Sequence, residues 1–110
     1  FRLPELSIFL YIRGMDERDR TIWDDQKCAA NLRLRSIDFA GLDEAFDGRF
    51  CLIREDRRHD YGESRFNMIV ALNDVILNIT FTPRGGKQRI ISARPANRVE
   101  RRLYNARQEG

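Results

Sequence analysis

Residues 65–82 place an apolar side chain at every second position, which is the period of a β-strand with one buried face. Asn73-Asp74 divides the pattern as a two-residue turn, so Leu72 pairs with Val75 in an antiparallel hairpin. Both apolar rows then share one face, and a polar row shares the other. The apolar rows are Phe66, Met68, Val70 and Leu72 on the first strand and Val75, Leu77, Ile79 and Phe81 on the second. Helices must cover the apolar face, whereas the opposite face is polar and partly cationic, which is unusual unless it binds something.

The strand that follows, over residues 87–94, has two possible registers. If the loop before it spans residues 83–86, Arg89 joins the polar face of the sheet. If the loop also includes Lys87, Ser92 and Arg94 join that face instead, because one residue of slip exchanges the two sets. Pro95 ends the strand, since proline cannot donate to a ladder.

Helical spacing appears on both sides of these strands. Asp24 and Asp38 lie where N-caps are expected, which predicts one helix over residues 24–35 and a second that ends at Gly48. A third helix, over about residues 96–108, is predicted to bury Val99 and Leu103. Together with a strand at residues 50–54 and a possible short strand at residues 21–23, this predicts an α+β fold. The expected architecture is two N-terminal helices, an antiparallel sheet of about four strands and a C-terminal helix.

The charge of the 110-residue chain is unevenly distributed. The net charge is +3, but residues 1–63 carry 11 basic and 14 acidic side chains, and residues 64–110 carry nine basic and three acidic ones. The basic half favours a polyanionic partner; the alternative is a solvated helix face beside a charge-protected sheet edge. We expect a single domain over residues 15–110. Residues 1–14 are interpreted as an N-terminal extension or a cloning remnant, with an edge strand at residues 6–12 as the alternative.

Several classes of function are disfavoured. Cys28, Cys51 and the single histidine lack metal-ligand spacing, and the cysteines fit free thiols better than a disulfide. Gly85-Gly86 indicates a turn rather than a phosphate loop. The apolar run at residues 6–12 is too short to span a membrane. We therefore expect a cytoplasmic protein that uses no metal or cofactor.

The remaining polar side chains are those that metal-free RNA cleavage requires. A base takes the proton of a 2′-hydroxyl, cations stabilise the phosphate, and an acid protonates the leaving oxygen. Glu63, His59 or Tyr61 could transfer protons, although Glu63 could equally be an ion-pair partner of Arg65. The candidate catalytic residues are Arg94, Arg65, Glu63, Lys27 and His59.

Four blocks of sequence carry a family resemblance: IWDDQKCAANL, DFAGLDEAF, DRRHDYGESRF and TFTPRGGKQRIISARPANRVERRLY. In this order, over about residues 21–107, they resemble the BrnT family. The resemblance implies a RelE-like fold and a ribonuclease toxin of the mRNA interferase type, with a role in stress response. It also implies a ribbon-helix-helix antitoxin similar to BrnA, through which the complex would contact DNA and repress its operon.

The family's recurrent positions can be carried over to this chain with one departure. Leu34-Arg35-Ser36 stands where relatives usually have Lys-His-Gly, which disfavours a histidine-dependent mechanism and favours one based on arginine and lysine. The recurrent positions correspond to Trp23, Asp24, Lys27, Asn31, Glu63, Arg65, Arg84, Arg89, Ser92, Arg94, Glu100 and Tyr104.

Binding of RNA is expected to extend beyond the catalytic residues. The alternatives to an enzyme are a non-enzymatic nucleic-acid-binding or co-repressor module and a pure interaction protein. The candidate RNA-binding residues are Arg84, Lys87, Arg89, Arg98, Arg101 and Tyr104.

Overall fold

A six-stranded mixed sheet organises the protein. The structure, a computed structural model, describes residues 15–60 and 62–110, so the alternatives for residues 1–14 and the proposed role of Tyr61 lie outside the described residues. The strands are β1 (Met15–Glu17), β2 (Thr21–Asp24), β3 (Cys51–Asp56), β4 (Arg65–Leu72), β5 (Val75–Arg84) and β6 (Lys87–Pro95). Their order in the sheet is β1-β2-β6-β5-β4-β3. All neighbours are antiparallel except β2 and β6, which are parallel.

The predicted fold class is therefore wrong in its sheet. The expected four antiparallel strands are β3 to β6, but β2 adds a parallel partner to β6 and β1 adds an edge. These two strands are only three and four residues long, too short to show a period of two. β2 is held by packing and by Asp43, which accepts hydrogen bonds from the Thr21 hydroxyl and from Arg20. Long-range contacts of this kind leave no local signal in the sequence.

The helical part also differs from the prediction. Within residues 15–60 and 62–110 the helices are α1 (Asp25–Arg35), a 3-10 helix (Phe39–Phe46) and α2 (Arg98–Glu109). Asp24 and Asp38 are N-caps as predicted, since their carboxylates accept hydrogen bonds from the backbone N–H groups that follow. The second helix, however, is of the 3-10 type. Its buried residues Phe39, Leu42 and Ala45 recur every three residues, which matches three residues per turn.

The core lies between the apolar face of the sheet and the 3-10 helix. Met68, Val70, Ile79 and Ile90 are at most 1% exposed and form its centre. Trp23, at the end of β2, packs into the same cluster. None of the helices among residues 15–60 and 62–110 is long and apolar enough to cross a bilayer.

The hairpin between β4 and β5 forms as predicted. Asn73 and Asp74 have φ of 51° and 66°, the backbone of a type I′ turn, and Leu72 pairs with Val75. The next turn is shorter than either predicted loop, because the pairing of β5 with β6 extends to Arg84 and Lys87.

A β-bulge in β6 resolves the question of register. Thr80 pairs with Ser92 while Phe81 pairs with Ile90, so β6 contains one extra residue at this point. Arg89 before the bulge and Ser92 and Arg94 after it consequently all lie on the polar face. In a regular strand only one of the two predicted registers could hold. Because of the bulge, the polar residues of both registers lie on the same face.

Helix α2 lies against the polar face rather than the core. The prediction that Val99 and Leu103 are buried is wrong: they are 72% and 43% exposed. Tyr104 is instead 3% exposed and forms an edge contact with Phe50, at 5.1 Å between ring centroids. The helix is further fixed by the Ala96 N–H, which donates to the carbonyl of Ile76 at 2.8 Å. Helix α2 therefore covers one end of the polar face, and the rest of that face is open to solvent.

Candidate active site

Three rows of side chains cross the polar face of the sheet. Each row follows from the strand register and lies two residues, about 7 Å, from the next. The first row contains Asp56, Arg65, Thr82 and Arg89. The second row contains Arg54, Asn67, Thr80 and Ser92, and the third contains Leu52, Ile69, Asn78 and Arg94.

A carboxylate lies between two arginines at the first row. The Oε2 atom of Glu63 is 3.2 Å from Nε of Arg65 and 3.6 Å from Nη1 of Arg89. The arginine side chains are only 23% and 15% exposed, whereas Glu63 is 31% exposed. The Thr82 hydroxyl donates to the carbonyl of Ser64 at 2.6 Å and so fixes the segment that carries Glu63. We call Glu63, Arg65 and Arg89 the Glu63 cluster.

Arg89 carries an unsatisfied polar atom. Its Nε is buried and has no hydrogen-bond partner among the described residues. Leaving a buried charged donor unpaired costs on the order of 1–3 kcal/mol or more. With two guanidinium groups and one carboxylate the cluster has a net positive charge, so an anion that accepts hydrogen bonds fits it. A phosphate group has these properties.

A second cluster lies under helix α2. Arg94 donates through both terminal nitrogens to the carboxylate of Glu100, at 2.8 Å each, and Asn78 Nδ2 donates to the same carboxylate at 2.9 Å. Glu100 also completes a capping box with Asn97. The hydrogen bonds from Arg94 hold the pKa of Glu100 at about 2, against the opposing effect of burial. We call Arg94, Glu100 and Asn78 the Glu100 clamp, because it fastens α2 to the sheet.

The two clusters are separate. The rows of Arg65 and Arg94 lie four residues apart along the strands, which is about 13 Å. Arg94 is also neutralised by Glu100, and this pair raises the pKa of Arg94. The Glu63 cluster therefore has a net positive charge, whereas the ion pair of the Glu100 clamp is structural.

An open cleft of about 820 Å³ extends from Asp56 of the first row across the second and third rows. Asn67, Thr80 and Ser92 form its floor, and Val99 and Leu103 of α2 form one wall. Arginines from α1, β3 and α2 lie around the cleft, and three of them form no ion pair within residues 15–60 and 62–110. These three are Arg35, Arg54 and Arg107.

Comparison with protein families identifies the chain. The model of the family described as "Ribonuclease toxin, BrnT, of type II toxin-antitoxin system" matches residues 23–100, which is more than two thirds of the sequence.

The chain belongs to the BrnT family. The resemblance inferred from the four sequence blocks is thus confirmed. BrnT proteins are ribonuclease toxins of type II toxin–antitoxin systems, so this chain has RNA as its substrate and an antitoxin as its partner. A comparison with curated proteins finds no significant match. The matched region contains both the Glu63 cluster and the Glu100 clamp.

The structure brings only part of the predicted catalytic set of this BrnT protein together. Glu63 and Arg65 meet, joined by Arg89, which the sequence assigned to RNA binding. Arg94 lies in the separate Glu100 clamp. Lys27 is exposed on the first turn of α1 and, within the described residues, forms no hydrogen bond or ion pair with either cluster.

His59 and the predicted RNA-binding residues are dispersed. His59 is exposed in the loop that leads to Glu63. Lys87 donates to Glu17 and to the carbonyl of Arg18, both at 2.7 Å, and so ties β6 to the β1–β2 edge. Tyr104 is buried, so its ring is not available for stacking on a base. Arg84, Arg98 and Arg101 are exposed, and Arg101 also donates to the carbonyl of Ala96.

Sequence reasoning missed one group of residues at this BrnT surface. Arg54 lies directly opposite Asn67, whose Oδ1 accepts a hydrogen bond from the Thr80 hydroxyl at 2.8 Å. The alternation of β4 and β5 already placed Asn67 and Thr80 on the polar face. Pairing β3 with β4 in the structure's register would have added Arg54.

Proposed function

We propose that this BrnT toxin cuts messenger RNA in the cytoplasm without a metal ion, by attack of a 2′-hydroxyl at the Glu63 cluster. The observation that supports this most strongly is the carboxylate held between two half-buried arginines, one of which has an unpaired nitrogen. A proton acceptor thus lies beside a phosphate-sized positive site, which is the pair of functions that the reaction needs.

Each group of the cluster has a defined part in the proposed reaction. Glu63 accepts the proton of the 2′-hydroxyl, and the 2′ oxygen attacks the adjacent phosphorus. Arg65 and Arg89 donate hydrogen bonds to the non-bridging oxygens as negative charge develops on them. The bond from phosphorus to the 5′ oxygen breaks, and that oxygen takes a proton from an acid, for which His59 is the candidate. The products are a 2′,3′-cyclic phosphate and a 5′-hydroxyl.

The experiment incubates the purified toxin with RNA in EDTA and identifies the chain ends. We expect fragments that end in a 2′,3′-cyclic phosphate. Glu63→Gln should abolish most of the activity, and removal of either arginine of the cluster should slow cleavage by roughly 10²–10³-fold. Glu109→Gln is the matched control, because it removes the same charge from the exposed last turn of α2. Intact RNA with the wild-type protein in EDTA would refute metal independence.

The physiological part of the proposal concerns translation and the antitoxin. We propose that cleavage of messenger RNA stops translation, and that a ribbon-helix-helix antitoxin similar to BrnA neutralises the toxin and represses the operon with it. Induction in a bacterial host should arrest growth, and co-expression with the product of the neighbouring gene should restore growth and give a co-purifying complex. Growth arrest with intact messenger RNA would contradict the proposed target.

A co-repressor function has its own support in helix α2. Arg98, Arg102 and Arg107 are exposed on this helix and can meet a nucleic-acid backbone. If they contact duplex DNA, removal of one arginine should reduce the slope of log K against log salt by about 0.9. An unchanged slope assigns the helix to another partner.

A further inference from the structure

The second row of the polar face lies next to the Glu63 cluster and has no part in the proposed reaction. It is two residues, about 7 Å, along the strands from the row of Arg65 and Arg89. If the proposed function holds, a nucleoside whose 2′-hydroxyl faces Glu63 must place its base beside the cluster. The open cleft covers this row, so the base has room there.

The hydrogen-bonding groups at this row are mainly donors. Asn67 Oδ1 is occupied by the Thr80 hydroxyl at 2.8 Å, which leaves Asn67 Nδ2 to donate into the cleft. Arg54 lies directly opposite Asn67 on β3 and is exposed. It forms no ion pair within residues 15–60 and 62–110, so its fork of N–H groups is available. Two neighbouring donor groups of this kind favour a ligand whose edge carries only hydrogen-bond acceptors.

Apolar side chains in the same cleft suit the flat face of a base. Val99 and Leu103 of α2 are 72% and 43% exposed, although an amphipathic helix normally buries such residues. They line the cleft together with Ile69 from the sheet. Other side chains of the described residues do not fully cover these three apolar groups, whereas the flat face of a nucleobase would cover them.

We propose that Arg54 and Asn67 form a guanine subsite, which binds the base on the 5′ side of the bond to be cut. Guanine presents two adjacent acceptors, N7 and O6, to which an arginine binds through two hydrogen bonds. Adenine presents an amino donor beside N7 in place of the O6 acceptor of guanine, so it leaves Arg54 poorly matched. The inference rests on the proposed function and adds the identity of the base to it.

The test uses DNA oligonucleotides that contain a single ribonucleotide, because cleavage is then possible at one bond only. The wild-type toxin should cut fastest after riboguanosine, and 7-deazaguanine, which lacks the N7 acceptor, should remove most of that advantage. Arg54→Ala should reduce the ratio of guanosine to adenosine cleavage roughly 10- to 100-fold. Asn67→Asp should reduce it as well, because the new carboxylate would pair with Arg54. Arg33→Ala removes one exposed charge from the last turn of α1, away from the cleft, and should leave the ratio unchanged.

A binding measurement separates the subsite from the chemistry. Dinucleotides of 2′-deoxyribose cannot be cut, and the affinity for a 5′ guanine over a 5′ adenine should depend on Arg54 in the same way. Cleavage with a base ratio that Arg54→Ala does not alter would overturn the subsite and leave the ribonuclease proposal intact. Binding that prefers guanine without any cleavage would overturn the ribonuclease chemistry and leave the subsite intact. Loss of antitoxin binding in Arg54→Ala, with the base ratio unchanged, would show the cleft to be a protein-docking surface and refute the inference.

Discussion

Replacing Glu100 with glutamine should release helix α2 from the sheet, because it disrupts the Glu100 clamp. The change keeps the size of the side chain but removes the charge that Arg94 and Asn78 bind at 2.8 and 2.9 Å. The pKa of Glu100 is about 2, against an ordinary value of 4.5. That difference in pKa corresponds to about 3 kcal/mol of the free energy of unfolding. Solvent screening of a carboxylate that is 19% exposed lowers the expected loss to about 2 kcal/mol.

The effect of Glu100→Gln should depend on pH with a defined sign. Because the folded-state pKa is depressed, the stabilisation is fully present above pH 4.5 and is lost as the pH falls towards about 2. At pH 7 the variant should melt about 8–12 °C below the wild type. The difference in melting temperature between the two proteins should stay constant down to about pH 5 and then decrease.

The assay is thermal unfolding of both proteins by circular dichroism between pH 2.5 and pH 7, with unfolding by urea at pH 7 as an independent measure. Glu109→Gln serves as the control, since Glu109 is exposed on the last turn of the same helix. A variant as stable as the wild type at pH 7, or a gap that grows as the pH falls, would refute the clamp. If Arg94 were instead held for catalysis, Glu100→Gln would change the cleavage rate and leave the melting temperature unaffected.

Three further predictions concern the turn, the core and the β2 edge. Asp74→Gly should raise stability by about 0.5–1 kcal/mol, because Asp74 has a φ of 66° that glycine adopts without strain, and an increased urea midpoint would show it. Trp23→Ala should cost about 3–5 kcal/mol, since Trp23 is 5% exposed in the core; a loss below 1 kcal/mol in urea titration would contradict the packing of β2. The hydrogen bonds from Thr21 and Arg20 outweigh burial and lower the pKa of Asp43, so this group stabilises the fold above about pH 4 and less at lower pH. Asp43→Asn should therefore be less stable than the wild type at pH 7, with the difference shrinking in acid, as melting curves across that range would measure.

The sequence predicted the features that have a local cause. The helix caps at Asp24 and Asp38 and the type I′ turn at Asn73-Asp74 each depend on a few neighbouring residues, and all three are present. The parallel pairing of Ile22 with Arg89 joins segments that lie far apart in the chain, and neither carries a periodic signal for it. Local pattern and long-range pairing thus differ in how far a single sequence reveals them.

The sequence predicts several residues of the candidate site, but it does not predict which of them lie together. The chemistry of Glu63 and Arg65 makes them candidates in the sequence, and the structure places them together. Arg89 and Arg94 were distinguished by register, yet a bulge puts both on one face, and an extra residue in a strand has no reliable sequence signature. Val99 and Leu103 have helical spacing but remain exposed. Tyr104 is the buried residue of the helix, and it packs against Phe50.

The parallel pairing of β2 with β6 also constrains the order in which the sheet can form during synthesis of the chain. Arg89 of the Glu63 cluster lies in β6, and β2 has no place between β1 and β6 until that strand exists. Pairing of strands so distant in the chain is slow, because the intervening loop must close first. A nascent chain on the ribosome therefore lacks both Arg89 and the strand that pairs with β2 until β6 has been translated. If the proposed function holds, the Glu63 cluster cannot assemble before β6 has emerged from the ribosome.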